Sequence, residues 1–183
     1  MLMKIISSPA SLSALSNSQL LDRARDTAAD ERKATLVLLH CLREIEKRRL
    51  HLQAGFGSLF EYVHKALGYS EGSAYRRVQA MRALHDLPEL EASIAKGTLS
   101  LTTVSQVQGF IQNERKATGK VLTSPEKREL FAAVEGKSKR ETELVFSETA
   151  QQAAEHTEMQ CHHLALHLTV ASTQIRQTVA AGQ

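Results

Sequence analysis

Helix-start signals recur along this chain and constrain its fold more firmly than any other feature. A serine followed three residues later by glutamine or glutamate occurs at Ser16, Ser58 and Ser138. In such a capping box the serine hydroxyl accepts a hydrogen bond from a first-turn N–H, and the longer side chain bonds back to the cap residue. Because each box opens a helix, the sequence predicts a mostly α protein, built as a helical bundle.

The composition agrees with a bundle rich in leucine and alanine. Aromatic residues make up only 4% of the 183 residues, whereas β-sandwiches usually draw on aromatic and β-branched side chains. The net charge of +3 permits a nucleic-acid partner without requiring one, since the distribution of charge decides. The two cysteines form no CxxC pair, and no apolar stretch is long enough to span a membrane. We therefore expect a cytoplasmic protein with no membrane partner.

Start and stop signals divide the chain into five predicted segments. In order, these are a flexible leader (1–14), a helical domain (15–112), a loop or hinge (113–123), C-terminal helices (124–152) and a tail (153–183). In the helical domain we expect one helix at 20–28 and a longer one at 30–52, with Leu38, Leu42 and Ile45 on its inner stripe. In the tail, alternating apolar residues predict a short strand at 163–170.

The stretch 58–84 predicts two short helices joined at Gly68, with Ser70 as the cap of the second, as in a helix-turn-helix. A rotation of 100° per residue places three second-helix side chains on the outward face, where arginine can pair with guanine and glutamine with adenine: Ser73, Arg76 and Gln79. Three cations flank that face and suit phosphates: Lys65, Arg77 and Arg82. The stretch therefore predicts an interface for double-stranded DNA.

Two departures from the pattern leave a second interpretation open. His64 stands where the first helix usually has a small residue, and Arg77 stands where an apolar residue is commoner. Spacing alone thus also fits a mere corner of a helical bundle. A second basic cluster precedes or begins a later helix, where the helix dipole does not favour it, and fits phosphate contact or a solvated face: Lys137, Lys139 and Arg140.

The sequence predicts no metal site, cofactor, small-molecule substrate or catalytic residue. Cys161, His162, His163 and His167 invite a zinc interpretation, but strand spacing separates His162 from His163, and no second cysteine lies nearby. Serines are common without a GxSxG elbow, and Gly55-Phe-Gly57 lacks the GK[ST] ending of a phosphate loop.

Two phrases carry a family resemblance: RKATLVLLHCLREIEKRRLHLQAGFGSLFEYVHKALGYSEGSAYRRVQAMRALHDLPELEASIAKGTLSLTTVSQV and EGKSKRETELV. They resemble the helical N-terminal region of HNH endonuclease family proteins of the deltaproteobacterial type, over about residues 30–170. The motif order is a basic helix end, G(F/Y)xSLFxY, LG(Y/L)SExxAYRR, a GxLxLTxxS-like step and GKSKRE. The part LPELEASIAKGTLSLTTVSQV is also similar to the segment after the helix-turn-helix of ParB-like DNA-binding proteins.

The resemblance implies the targeting or assembly half of a nuclease. In the family a ββα-metal nuclease module follows the helical region, and its catalytic residues find no matching positions in this chain. We therefore expect a bacterial DNA-binding module that is not catalytic by itself. The competing hypothesis is a structural or oligomerisation module, in which the 30–52 helix pairs with its copy in a homodimer and the strand completes a sheet across it.

Overall fold

The computed structural model describes residues 12–119, 121–151 and 159. By its contacts the chain divides into two units, Met1–Lys139 and Arg140–Gln183, which are described separately. The helices of the first unit are α1 (Asn17–Lys47), α2 (Leu50–Gln53), α3 (Leu59–Glu61, followed by a π-helical turn Tyr62–Ala66), α4 (Glu71–Asp86), α5 (Leu90–Lys96), α6 (Leu101–Thr118) and α7 (Ser124–Val134). A further helix, α8, covers residues 139–151.

The mostly α prediction is confirmed. The part of the chain that the structure describes holds helices and turns and no strand. The predicted strand 163–170, the Cys161–His167 cluster and most of the predicted leader lie outside the described residues.

The capping box at Ser16 opens α1 as predicted. The Ser16 hydroxyl accepts a hydrogen bond from the Gln19 N–H at 3.3 Å, and the Gln19 side chain accepts one from the Ser16 N–H at 3.0 Å. The helix then runs unbroken for 31 residues, where two helices had been predicted. No glycine or proline lies between the two predicted pieces, so the sequence carries no stop signal there.

The packed part of α1 is its second half. Leu36, Leu39 and Leu42 are buried, whereas the predicted stripe residues Leu38 and Ile45 are half-buried. The side chains from Asn17 to Thr27 are all exposed. The buried face of α1 is therefore shifted from the predicted stripe, with Leu42 common to both.

The end of α1 is irregular. Arg48 closes it by donating its backbone N–H to the Glu44 carbonyl at 3.0 Å, and the Arg49 N–H bonds to the Glu46 carbonyl at 3.0 Å. Arg49 then adopts φ 54° and ψ 30°, the left-handed region. For a residue with a Cβ this conformation costs about 1–2 kcal/mol. The helix thus ends before the predicted residue 52, at a strained arginine rather than at a glycine.

The core forms around α4, which packs against α1, α3, α5 and α6. Its buried residues are mostly small or flexible: Ala74, Val78, Gln79, Ala80, Met81, Ala83 and Leu84. The alanines let neighbouring helices approach closely, while Leu39, Leu42 and Val63 fill the space around them. Each large apolar side chain buried here stabilises the fold by about 1.5–3 kcal/mol.

The later helices differ from prediction at their ends. The helix α6 continues through Thr118 because no glycine or proline lies between Asn113 and Thr118, and it ends at Gly119, whose φ is 73°. Residues 113–118 of the predicted loop are therefore helical, and only 119–123 connect α6 to α7. The cap of α7 is Thr123 rather than Ser124, and its hydroxyl and Glu126 form the capping box.

Polar contacts fasten α5 and α7 to the rest of the first unit. Arg32 of α1 donates to the Ala95 carbonyl at 3.0 Å, and His40 lies 3.3 Å from Glu91. Lys127 of α7 pairs with Asp86 at 2.7 Å, and Arg128 pairs with Glu89. No helix among the described residues is long and apolar enough to cross a membrane.

Candidate nucleic-acid interface

The connection between α3 and α4 is built by two serine caps and one glycine. The Ser58 hydroxyl accepts from the Glu61 N–H at 3.1 Å, and the Ser70 hydroxyl accepts from the Ser73 N–H at 3.4 Å. Between the helices, Gly68 takes φ 74°, a conformation that glycine adopts without a Cβ clash. Both predicted caps and the predicted turn glycine are therefore in place.

Tyr69, just after the glycine, is held from two sides. The ring Nδ1 of His64 lies 2.7 Å from the Tyr69 carbonyl oxygen, and it must be the donor because the carbonyl can only accept. The Arg77 guanidinium carbon lies 3.9 Å above the Tyr69 ring, a cation–π contact. Arg77 also donates to the Ser73 carbonyl at 3.3 Å. The two residues that departed from the helix-turn-helix pattern thus both fix this connection.

The π-helical turn at Tyr62–Ala66 carries His64. The Leu67 N–H bonds to the Tyr62 carbonyl at 3.2 Å, five residues back rather than four. Such turns are wider than an α-helical turn and occur frequently at functional sites. No glycine or proline lies within this turn, so local sequence signals do not predict it.

Arg76 lies along the first turn of α4 and is only half-exposed. It donates to the Ser73 hydroxyl at 3.3 Å. Its terminal nitrogen would lie 3.3 Å from a Cβ at residue 72, so the guanidinium rests over Gly72. Among the described residues no carboxylate pairs with Arg76. Its positive charge is therefore available to an external acceptor.

The three predicted phosphate-contacting cations are all engaged within the molecule. Lys65 bonds to Glu61 at 2.7 Å, and Arg82 bonds to Glu46 of α1 at 3.4 Å. The Lys65 hydrogen bond, a bond from the Gly57 N–H and the lysine charge hold the pKa of Glu61 below its usual value. Such exposed ion pairs are weak and can exchange for a phosphate. Arg77 is different, because its guanidinium group lies over the Tyr69 ring.

The prediction that Gln79 faces outward is wrong. Its side chain is 4% exposed, and its Oε1 accepts a hydrogen bond from Gln112 of α6 at 3.3 Å. A rotation by 100° per residue does not show which sides of α4 are covered, and α6 packs on the side where Gln79 points. Gln79 therefore belongs to the core and not to the outward face.

The accessible part of α4 is its first two turns. Glu71, Gly72 and Tyr75 are exposed, with Ser73 and Arg76 half-exposed beside them. Tyr75, 42% exposed, was missed by the sequence reasoning. The sequence does place Tyr75 on the predicted second helix, directly before the candidate reader Arg76.

The second basic cluster lies across the boundary between the two units. Lys137 and Lys139 end the first unit and are exposed, and Arg140 begins the second unit and is also exposed. No group of three or more potential metal ligands occurs among the described residues.

A family model described as a domain of unknown function, DUF222, matches residues 21–155. The matched range includes all of α2 through α7 and with them the connection at Gly68. No curated protein and no solved structure gives a significant match.

Proposed function

The chain belongs to the DUF222 family, and we propose that it binds double-stranded DNA through the first two turns of α4. The helices α3 and α4 act in this proposal as a helix-turn-helix. In that motif the N-terminal residues of the second helix contact base edges, while the first helix crosses the backbone. The accessible residues of α4 lie at the end where such contacts are made.

The observation that carries the proposal is the state of Arg76. It is half-exposed, it has no carboxylate partner among the described residues, and Ser73 holds it against Gly72. An arginine held in this way can pair with the O6 and N7 of guanine in the major groove. Lys65 on α3 and Arg82 on α4 would exchange their carboxylates for phosphates at the flanks.

The family supports a role next to DNA. DUF222 domains are found in HNH-endonuclease-associated proteins, in agreement with the resemblance of the sequence to the helical region of such enzymes. The proposed role is targeting without catalysis. We propose that Lys137 and Lys139 also contact DNA phosphates.

The test is duplex binding by Arg76→Ala, measured by fluorescence anisotropy on a labelled duplex of about 30 base pairs at about 50 and 200 mM salt. We expect roughly tenfold weaker binding, because a charge-assisted hydrogen bond is lost. Arg23→Ala is the matched control, because the substitution also removes one positive charge and Arg23 lies on the exposed first turns of α1. Equal affinity of wild type and Arg76→Ala, with Tm unchanged, contradicts the proposal.

A second candidate function is self-assembly through α1. Leu20 and Leu21 are 44% and 60% exposed, and Val37 is 62% exposed on the same helix. The exposed stretch from Asn17 to Thr27 is shorter than the roughly 12–15 residues that an isolated helix needs to be stable in water. A second copy of α1 would cover this stretch. Light scattering of wild type and of Leu20→Ser/Leu21→Ser tests this candidate, since a dimer should dissociate in the variant and a monomer should show no change.

A further inference from the structure

Arg49 occupies a backbone conformation that its side chain disfavours. Among the described residues it is the one non-glycine with a positive φ, 54°. Glycine is the usual residue in this region and asparagine the usual exception, because a Cβ meets the following carbonyl oxygen. Strained residues of this kind cluster at functional sites, so the outlier calls for a reason.

The structure offers no internal reason for an arginine here. The side chain is exposed, and its guanidinium makes no hydrogen bond or ion pair among the described residues. Arg48, one residue earlier, pairs with Glu44 at 2.9 Å. Lys47 and Arg48 already place positive charge at the carbonyl end of α1, where the helix dipole favours it. The charge of Arg49 adds little to this favourable interaction with the helix dipole.

An ion pair between helices places Arg49 near the flank of the proposed interface. Arg82 of α4, one of the proposed phosphate contacts, bonds to Glu46 in the last turn of α1 at 3.4 Å. Arg49 follows Glu46 by three residues. The end of α1 therefore lies beside Arg82.

We propose that Arg49, with Lys47 two residues before it, contacts DNA phosphate next to Arg82, at the flank of the proposed interface, and that this contact retains an arginine at a strained position. The inference rests on the proposed function and extends it to α1. Lys47 is exposed, and its ammonium group has no partner among the described residues. The end of α1 thus supplies two cations that need not break an internal ion pair to bind a phosphate.

Arg49→Gly tests the proposal, because stability and binding should move in opposite directions. Removing the Cβ relieves the left-handed strain, and we expect Tm to rise by about 2–4 °C. Duplex affinity should fall by roughly tenfold at about 50 mM salt. The slope of log K against log salt should decrease by about 0.9, the value for one lost phosphate contact.

Two further variants separate charge from backbone. Arg49→Lys keeps the charge and the Cβ, so both affinity and Tm should stay close to wild type. Arg49→Asn removes the charge but tolerates the left-handed region, so it should bind as weakly as Arg49→Gly. The Arg23→Ala control removes one positive charge about 36 Å from the end of α1, at 1.5 Å per residue, and should bind like wild type.

The outcomes distinguish this inference from the proposed function. If Arg76→Ala weakens binding and Arg49→Gly does not, Arg49 is not a contact and the proposed function stands. If Arg49→Gly weakens binding and Arg76→Ala does not, the phosphate contact stands and Arg76 is not the reader. If neither variant changes affinity, both ideas fail. A lower Tm for Arg49→Gly overturns the strain explanation.

Discussion

The two halves of α4 differ in almost every respect. The first two turns expose Glu71, Gly72 and Tyr75 and hold Arg76, which no carboxylate pairs with in the part of the chain that the structure describes. From Val78 to Leu84 every residue is buried except Arg82, which bonds to Glu46 of α1. One continuous helix therefore serves as surface at its start and as the central element of the core at its end.

The proposed function has to accommodate this difference. A helix lying lengthwise in a groove needs one face accessible along several turns, and on α4 the face that begins at Gly72 and Tyr75 is interrupted by the buried Gln79. We infer that α4 would approach the major groove end-on, with α3 and the end of α1 supplying the contacts to the backbone. A short contact of this kind limits the number of bases that one copy of the module can read.

The largest expected effect is a difference in the free energy of unfolding between a variant in the second half of α4 and one in the first half. Met81 is 2% exposed, so Met81→Ala should lower the free energy of unfolding by about 2–5 kcal/mol. Tyr75→Ala, at a site 42% exposed, should change it by about 0.5 kcal/mol or less. Urea unfolding followed by circular dichroism measures both. Similar losses in the two variants would show that the first turns are packed as tightly as the second half.

The next effect separates two neighbouring arginines within the first half. Arg77 lies over the Tyr69 ring and lays its stem on the connection, so Arg77→Ala should destabilise the protein by about 1–2 kcal/mol. Arg76→Ala should change stability by about 0.5 kcal/mol or less. Thermal unfolding of the two variants side by side checks this. An equal Tm decrease in both would mean that Arg76 is also a structural residue.

The smallest effect concerns the last residue of α4 and is a pH dependence. Burial acts to raise the pKa of Asp86, but the Lys127 hydrogen bond and charge, with His85, lower it more. Since the folded pKa is depressed, the Asp86–Lys127 pair stabilises the protein above the ordinary aspartate pKa, near 3.9. That stabilisation is lost as the pH falls through the folded pKa. For a partly exposed pair we expect at most about 1 kcal/mol.

Urea unfolding of wild type and Asp86→Asn between about pH 7 and pH 3 measures this effect. The stability difference between the two proteins should disappear as the acid titrates the carboxylate. Asp22→Asn is the control, because the Asp22–Arg25 pair lies on the exposed first turns of α1 and contributes little. A difference between wild type and Asp86→Asn that persists at the lowest pH would assign it to packing instead.

Local signals predicted the helices well, because caps and glycines act within one turn of the chain. Ser16, Ser58 and Ser70 cap helices where the sequence placed them, and Gly68 takes the left-handed turn. The errors lie where a local signal was weak or absent. The chain continues as helix from Thr27 to Asp30 and again through Thr118, since nothing there breaks it.

In the candidate site, too, the sequence determines the residues and the tertiary structure determines which of them are accessible. The identity and order of Ser73, Arg76 and Arg77 are fixed by the sequence, and so is the turn that presents them. Which of these side chains remains available was decided by their neighbours. Arg77 is taken up by Tyr69, and Gln79 by Gln112, 33 residues further along the chain.

By itself, therefore, the sequence determined that this protein is helical and where most of its helices begin, because hydrogen bonding at a helix end involves residues only a few positions apart. The tertiary structure alone decided that α4 is the central helix, that Gln79 is buried and that Arg82 pairs with Glu46 of α1. The physical reason is that burial and charge pairing depend on residues distant in sequence, and periodicity along one helix does not reveal how many neighbours surround it.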